Sequence, residues 1–157
     1  MTNVFDSAKW HMKIHAKGTN ADDRKKFEHF DKQMQETLSI GIGYGIEDDI
    51  TSSTDAEIGV YLKELGFGSN SCNMVTKFIQ EVDTGDKIIM GRGAQEVMYV
   101  VEIISNSYFT RDPRFETGGS KQRIRRNIKI LEKLPPDSNI DCAFRGTLRR
   151  VSNPTLC

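Results

Sequence analysis

The β-branched and aromatic residues of segment 97–104 predict a strand. Both faces of this strand are apolar. A strand with two apolar faces is covered on both sides, so this one belongs in the middle of a sheet. Segment 87–90 precedes it, and a Gly91-Arg92-Gly93 turn joins the two into a predicted hairpin. The rest of the fold has to be arranged around this hairpin.

The spacing of apolar residues predicts the elements on either side of the hairpin. Alternation indicates strands at 10–16 and 123–131, and a short apolar run with glycines at its end indicates a buried strand at 38–44. Helical spacing indicates helices over 21–36, over 54–65 with a Thr54/Glu57 capping box, and over 71–82. Segment 105–120, which contains Pro113 and two glycines, is expected to be a loop.

The chain is expected to form a single domain over residues 1–157, because 157 residues bury enough surface without a disulfide or a metal. Segment 135–157 is weakly patterned, and Ala143-Phe144 and Thr147-Leu148 are candidates for one more short strand. No apolar run approaches the roughly 18 residues of a membrane span, and residues 1–10 lack the pattern of a secretion signal. We therefore expect a cytoplasmic protein.

The charges are balanced in number but not along the chain. The sequence has 22 Lys and Arg against 22 Asp and Glu, yet residues 1–110 carry a net charge of −6 and residues 111–157 one of +6. Overall neutrality argues against a protein that coats nucleic acid regardless of sequence. A local cationic surface in the second part is still compatible with this balance.

Six cations lie within the thirteen residues around the predicted strand 123–131 and are opposed there by Glu132 alone. They are Lys121, Arg123, Arg125, Arg126, Lys129 and Lys133. Alternation puts Arg123, Arg125 and Lys129 on a polar face, and Arg126 on the apolar one. Such a face suits a phosphate backbone. It is equally typical of a solvated sheet edge that charge protects from aggregation.

Several kinds of site are disfavoured by spacing. The glycine clusters 41–45 and 91–93 fail the GxGxxG pattern, and no P-loop occurs. His11 and His15 are expected on the solvent face of the first strand, and the three cysteines are too far apart for a structural zinc site. The sequence thus predicts no cofactor and no metal.

An acidic cluster leaves one enzymatic alternative. Glu47, Asp48, Asp49, Asp55 and Glu57 place five carboxylates within eleven residues, and paired carboxylates can serve hydrolysis or bind a divalent ion. An acidic loop before a helix N-terminus is, however, common because the helix dipole favours it. We therefore predict a protein that is not an enzyme and keep a carboxylate-dependent hydrolase as an alternative.

The order of several short motifs resembles a known family. The motifs are Ile42-Gly43-Tyr44, Ser69-Asn70-Ser71, Val75-Thr76-Lys77-Phe78-Ile79, Thr84-Gly85-Asp86-Lys87-Ile88-Ile89, Val100-Val101-Glu102-Ile103 and Tyr108-Phe109. Over about residues 9–134 the chain resembles an EVE-like domain of the PUA/YTH superfamily, as found at the N-terminus of McrB-type modification-dependent restriction proteins. The resemblance implies an α+β fold with a twisted, barrel-like mixed sheet flanked by about three helices.

The resemblance also implies a pocket that receives one modified base flipped out of a nucleic-acid strand. Tyr44 takes the position of the family's usual tryptophan, and the polar Ser-Asn segment corresponds to Asn70 and Ser71. Further pocket positions implied by the resemblance are Trp10, Tyr108 and Phe109. For Tyr44 and Tyr108, ordinary packing in a sheet is the alternative. The expected phosphate contacts are Arg92 on the hairpin turn and Lys121, Arg123, Arg125, Arg126 and Lys129.

These observations together predict a reader of a methylated or otherwise modified base in DNA, acting as the targeting module of a restriction system. The expected partners are modified DNA and an AAA+ motor or nuclease, with no membrane. A reader of modified RNA is the closest alternative, since PUA-like folds also serve RNA. A protein-interaction module that docks an acidic partner on the basic strand is an alternative of another class.

Overall fold

Two apolar faces place the segment Glu96–Ile103 in the interior of a curled, mixed half-barrel sheet, against which three helices pack. The computed structural model describes residues 4–15, 20–93, 95–116, 121–140, 147–152 and 154. Its strands are β1 (Ala8–His15), β2 (Ser39–Ile42), β3 (Lys87–Arg92), β4 (Glu96–Ile103), β5 (Tyr108–Phe109), β6 (Ile124–Lys133) and β7 (Leu148–Arg150). Its helices are α1 (Ala21–Thr37), α2 (Asp55–Glu64) and α3 (Ser69–Thr76). The predicted α+β fold with a twisted, barrel-like sheet is confirmed.

The strand order of the sheet is β2-β6-β4-β3-β1-β7, with β5 added beside the first part of β6. The hairpin β3–β4 is central, as predicted, but the predicted turn position is wrong: Gly91 and Arg92 belong to β3 and pair with Val97 and Glu96 of β4. β1 pairs with β3 in parallel, whereas the remaining pairs are antiparallel. β6 therefore contacts three strands: it pairs with β2 and β5 in its first half and with β4 in its second.

The helix boundaries follow from local capping. Asn20 Oδ1 accepts the N–H of Asp23 at 2.8 Å at the start of α1. The predicted capping box of α2 is present, since Thr54 Oγ1 accepts the Glu57 N–H and Glu57 Oε1 accepts the Thr54 N–H. α3 begins two residues earlier than predicted and continues as a π-helical turn, Lys77–Glu81. No helix within the described ranges is long and apolar enough to cross a membrane.

The main core lies between the helices and one face of the sheet. Its most buried members are Trp10, Ile58, Leu62, Val75, Phe78, Ile88, Val101, Ile103 and Ile124. A second, smaller core lies on the opposite face of the central strands and consists of Phe5, Ala8, Ile89, Val97, Val100 and Ile140. The sheet is thus covered on both sides near β3 and β4, in agreement with the two apolar faces of β4.

The second core explains why the predicted exposure of His11 is wrong. His11 is fully buried, and it pairs in register with Ile89 of the second core and with Arg149 of β7. Burial, with a smaller contribution from the charge of Lys13, lowers the pKa of His11 to about 4. The side chain of His15 lies outside the part of the chain that the structure describes.

The largest departure from the sequence prediction concerns β6. Arg123, Arg125 and Arg126 are 4%, 1% and 2% exposed, so they do not form an exposed cationic face. The segment predicted as a loop at 105–120 is the cause, because β5 and a 3₁₀ turn at Pro113–Phe115 fold onto the first half of β6. The same strand reaches solvent further on, where Lys129 is exposed.

Arg125 is held between β2 and the 3₁₀ turn. Its Nε donates to Ser39 Oγ at 2.9 Å, and its Nη2 donates to the Ser39 carbonyl at 3.0 Å. The guanidinium lies 3.7 Å from the centroid of the Phe115 ring, within the range of a cation–π contact. Burial lowers the pKa of Arg125 to about 10, which reflects how thoroughly water is excluded there.

Arg126 joins β6 to the end of the α3 helix. Its Nη1 donates to the carbonyls of Phe78 and Val82, and its Nε and Nη2 both donate to the carbonyl of Ser105. These carbonyls lie at the end of the π-helical turn and in the loop after β4. One guanidinium therefore fixes two loops that are far apart in sequence.

The C-terminal segment supplies one more strand, as predicted. β7 starts at Leu148 and pairs with β1 from Trp10 to Met12. Of the two candidate segments, Thr147-Leu148 thus contributes to a strand. Ala143-Phe144 lies outside the described residues.

Replacing Arg126 by Met is expected to destabilise the protein by about 3 kcal/mol, because three carbonyls lose their donor in a buried environment. Lys129→Met on the exposed part of the same strand is the matched control and should change stability by about 0.5 kcal/mol or less. Urea unfolding of the two variants measures this difference. Equal stabilities would show that Arg126 has no structural role.

The depressed pKa of His11 predicts a specific loss of stability in acid. As the pH falls below 6.5 the unfolded chain takes up a proton at His11 first, so folding is disfavoured until the folded form is protonated near pH 4. Between pH 7 and pH 4.5 the wild type should lose about 2.5 kcal/mol more than His11→Leu. Denaturant unfolding of both proteins at both pH values tests this, and an equal loss of stability in the two would contradict it.

Candidate functional site

Tyr44 lies directly after β2 in an unusual backbone conformation. Its φ is 67°, and the following Gly45 has a φ of 60°. A left-handed conformation is uncommon for a residue other than glycine, and it is costly for a bulky aromatic one unless the surroundings hold it. The contacts of Tyr44 show what holds it.

Two side chains support the ring of Tyr44, one from Phe67 just before α3 and one from Met74 in its last turn. The Phe67 ring is perpendicular to it, with 5.4 Å between the centroids. The Tyr44 hydroxyl donates to Met74 Sδ at 3.4 Å. Both residues remain partly exposed, and we call this pair of perpendicular rings the aromatic corner.

The loop that follows Tyr44 is fixed from three directions. Tyr61 Oη accepts the Glu47 N–H at 3.1 Å, Arg123 donates to the Ile46 carbonyl at 3.1 Å, and Arg111 donates to the Glu47 carbonyl. Three hydrogen bonds to two consecutive residues, Ile46 and Glu47, therefore hold this loop in one conformation.

Arg123 is itself anchored by Glu116. Its Nε and Nη2 donate to the two carboxylate oxygens of Glu116 at 2.8 and 2.9 Å. This hydrogen bonding to Arg123 lowers the pKa of Glu116 below its usual value. Arg123 thus links the loop after Tyr44 to the segment beyond the 3₁₀ turn, and it is a structural residue.

Asn70 and Ser71 lie in the first turn of α3, beside the aromatic corner. Asn70 is exposed and precedes Met74 by four residues, so the two side chains share one face of the helix. Met74 accepts the hydroxyl of Tyr44, so Asn70 lies one helical turn along α3 from the residue that Tyr44 contacts. The grouping of Tyr44 with Asn70 and Ser71 in one pocket stays a prediction.

The two aromatic residues of β5 point in opposite directions, as consecutive residues of a strand do. Phe109 packs against the main core, as do Tyr44 and Phe67. Tyr108 instead donates from its hydroxyl to Asn127 Oδ1 at 2.6 Å. Phe109 is thus compatible with the pocket, whereas Tyr108 is oriented away from it and its predicted pocket role is corrected.

Trp10 is also corrected as a pocket residue. It is completely buried in the main core, and its Nε1 donates to Asp86 Oδ2 at 3.1 Å. The guanidinium of Arg150 lies 4.5 Å from its ring centroid. A base has no access to a side chain in this position.

Six residues were expected to contact phosphates, and Arg123, Arg125 and Arg126 are excluded because they are buried. Three residues are left. Arg92 is half-buried and pairs with Glu96 at 3.1 Å, and its guanidinium lies over the Phe27 ring. Lys121 is exposed and lies 3.8 Å from Glu116, while Lys129 is exposed on β6. These three remain accessible, unlike the buried arginines of β6.

Sequence reasoning missed Arg111 and Phe67. Arg111 follows Phe109 by two residues, and its guanidinium lies 5.3 Å from the centroid of the Phe109 ring. Its side chain is exposed at the edge of the loop after Tyr44. In the sequence, the spacing of Phe109 and Arg111 is that of two side chains on one face of an extended segment. This spacing could be interpreted only once the pairing of β5 with β6 was known.

The acidic cluster serves local structure. Asp49 Oδ1 accepts the N–H and the hydroxyl of Thr51, and Glu57 belongs to the capping box of Thr54. Within the described ranges, no group of three or more His, Cys, Asp or Glu side chains is placed to hold a metal ion. The contacts of Asp49 and Glu57 give these two carboxylates a local structural role.

Two surface cavities are lined by other residues. One of about 430 Å³ lies between α2 and α3 over Gly59 and Cys72. The other, of about 360 Å³, is almost entirely polar and has Arg126 in its wall. Neither is lined by Tyr44, so the aromatic corner is a separate feature.

Removing the hydroxyl of Tyr61 is expected to loosen the loop after Tyr44. In Tyr61→Phe the Glu47 N–H loses its acceptor, at a cost of about 1 kcal/mol. Hydrogen exchange at the Glu47 amide should become about fivefold faster as a consequence. Tyr108→Phe, which removes a hydroxyl on the other face of β5, should leave this amide unchanged. Unaltered exchange in Tyr61→Phe would mean that Tyr61 does not hold the loop.

Comparison with known proteins adds one finding. No curated protein matches the chain. A family described as "Domain of unknown function (DUF8426)" matches residues 10–147, a range that starts within β1 and ends directly before β7. It includes every element around the aromatic corner. Because the match covers most of its length, the chain belongs to the DUF8426 family.

Proposed function

We propose that this protein binds DNA that carries a methylated or otherwise modified base and flips that base into the corner formed by Tyr44 and Phe67. The observation that carries the proposal is the conformation of Tyr44. An aromatic residue is kept in a left-handed backbone by several contacts and is still partly exposed. Strained residues of this kind are concentrated at functional sites.

The corner has the properties that a flipped base requires. Unstacking a base costs a few kcal/mol, which aromatic surfaces in the protein offset by stacking. Phe67 and Tyr44 present two perpendicular aromatic surfaces, and a methyl group adds apolar area that such surfaces favour. Since the Tyr44 hydroxyl is engaged by Met74, its ring is the part available to a ligand.

Asn70 is the candidate for reading the edge of the base. Its side-chain amide offers both a donor and an acceptor, as the hydrogen-bonding edge of a base does. It is exposed and lies one helical turn from Met74. Aromatic surfaces would provide affinity, and this amide would distinguish one base from another.

The resemblance to EVE-like domains of the PUA/YTH superfamily supports the same proposal. Its motif order is compatible with the half-barrel sheet, and its pocket positions include Tyr44, Asn70, Ser71 and Phe109. In the same proposal, the protein would act as the targeting module of a modification-dependent restriction system. An AAA+ motor or nuclease partner would then provide cleavage.

A binding titration tests this proposal. Fluorescence anisotropy would compare unmodified DNA with the same strand carrying methylcytosine, hydroxymethylcytosine or methyladenine. At least one modified strand should bind about tenfold more tightly than the plain one. Tyr44→Ala should remove this preference, while Tyr108→Ala, on the other face of β5, should retain it.

Three results would contradict the proposal. Equal affinity for all DNA strands would exclude modification-dependent binding. Tighter binding of the matching modified RNA would assign the protein to the class of RNA readers. A preference that survives Tyr44→Ala would place the recognised base elsewhere in the protein.

A further inference from the structure

Arg111 is an exposed cation beside the loop that follows Tyr44. It follows β5, and its guanidinium lies over the Phe109 ring. One of its Nη2 hydrogens is donated to the carbonyl of Glu47. The stacking and this hydrogen bond fix the orientation of the guanidinium without burying it.

Most of the hydrogen-bonding capacity of Arg111 is unused. A guanidinium has five N–H donors, and the bond to Glu47 is the one that Arg111 forms with the described residues. The nearby carboxylate of Glu116 is bound by Arg123 through both oxygens. The carboxylate of Glu47 approaches Arg123 at 3.8 Å. Arg111 therefore keeps a charge and several donors for a ligand.

Four other arginines of the described chain are engaged by backbone carbonyls or carboxylates. Arg125 and Arg126 are buried and bonded to carbonyls, Arg92 pairs with Glu96, and Arg114 pairs with Asp112. Arg111 thus combines a fixed, exposed guanidinium with a position next to the loop of Tyr44. A planar guanidinium of this kind is suited to bind two oxygens of a phosphate.

We infer that Arg111 binds the phosphodiester adjacent to the flipped base, so that the site takes a nucleotide within a strand and discriminates against a free nucleotide. This inference rests on the proposed function. It also assigns the backbone contact to a residue outside the cationic strand β6.

The charges around Arg111 favour an internal phosphate over a terminal one. Glu47, Asp48 and Asp49 are exposed in the adjoining loop and carry negative charge. A phosphodiester has one negative charge, whereas a terminal phosphate has between about 1.5 and 2 at neutral pH. Repulsion from the acidic loop is therefore stronger for a mononucleotide, while Arg111 compensates the single charge of a diester.

The test uses seven-nucleotide single strands of DNA with methylcytosine, hydroxymethylcytosine or methyladenine at the centre. In a second set, neutral methylphosphonates replace the two linkages next to the modified base. The wild type should bind the neutral set about tenfold more weakly, and free modified nucleoside 5′-monophosphates should not compete. Arg111→Gln, which keeps a donor for Glu47, should bind both sets equally.

Two further variants make the result specific. Arg111→Lys keeps the charge and should retain most of the salt dependence, whereas Arg111→Gln should reduce the slope of log Kd against log salt by about 0.7. Arg149→Gln removes an exposed arginine from β7 at the far end of the sheet order and should behave as the wild type. Thermal unfolding confirms that each variant is folded.

The outcomes separate the two proposals. If no modified strand binds better than its plain counterpart, the proposed function fails and the inference fails with it. If modified strands bind better but Arg111→Gln equals Arg149→Gln in affinity and salt slope, the base pocket stands and the role of Arg111 is overturned. Effective competition by the free monophosphates would also overturn it.

Discussion

The buried guanidinium groups in β6 and directly before it are the interaction on which the rest of the structure depends. Arg123 holds the loop after Tyr44, Arg125 holds β2 and the 3₁₀ turn, and Arg126 holds the end of the α3 helix. Burying a charge is costly unless several acceptors surround it, and here backbone carbonyls supply most of them. One strand thus determines where loops far apart in sequence are placed.

This arrangement changes which residues are available for binding. Arg123, Arg125 and Arg126, from the most cationic part of the sequence, stabilise the interior, whereas Arg111 stays exposed beside the loop that follows Tyr44. With Glu47 and its acidic neighbours close by, nonspecific attraction of phosphates is weak there. We expect a domain of this kind to derive selectivity from its pocket rather than affinity from its net charge.

The sequence predicts a feature of this structure when the residues that determine the feature are close together in the chain. The central position of β4 and the capping box of α2 follow from neighbouring residues and are confirmed. The burial of His11 and Arg125 depends on distant segments that cover a second face of the sheet, which alternation within one strand does not reveal. The same applies to β5, because its pairing with β6 decides that Phe109, and not Tyr108, packs against the main core.

The proposed binding of a modified base in the corner formed by Tyr44 and Phe67 is tested most directly by NMR contact mapping. A DNA strand whose modified base carries a ¹³C-labelled methyl group would be bound to the protein, and intermolecular NOEs from that methyl group recorded. If the base binds in the corner, the methyl group should give NOEs to the ring protons of Tyr44 and Phe67. A bound methyl group with NOEs to other residues, and none to these two rings, would contradict it.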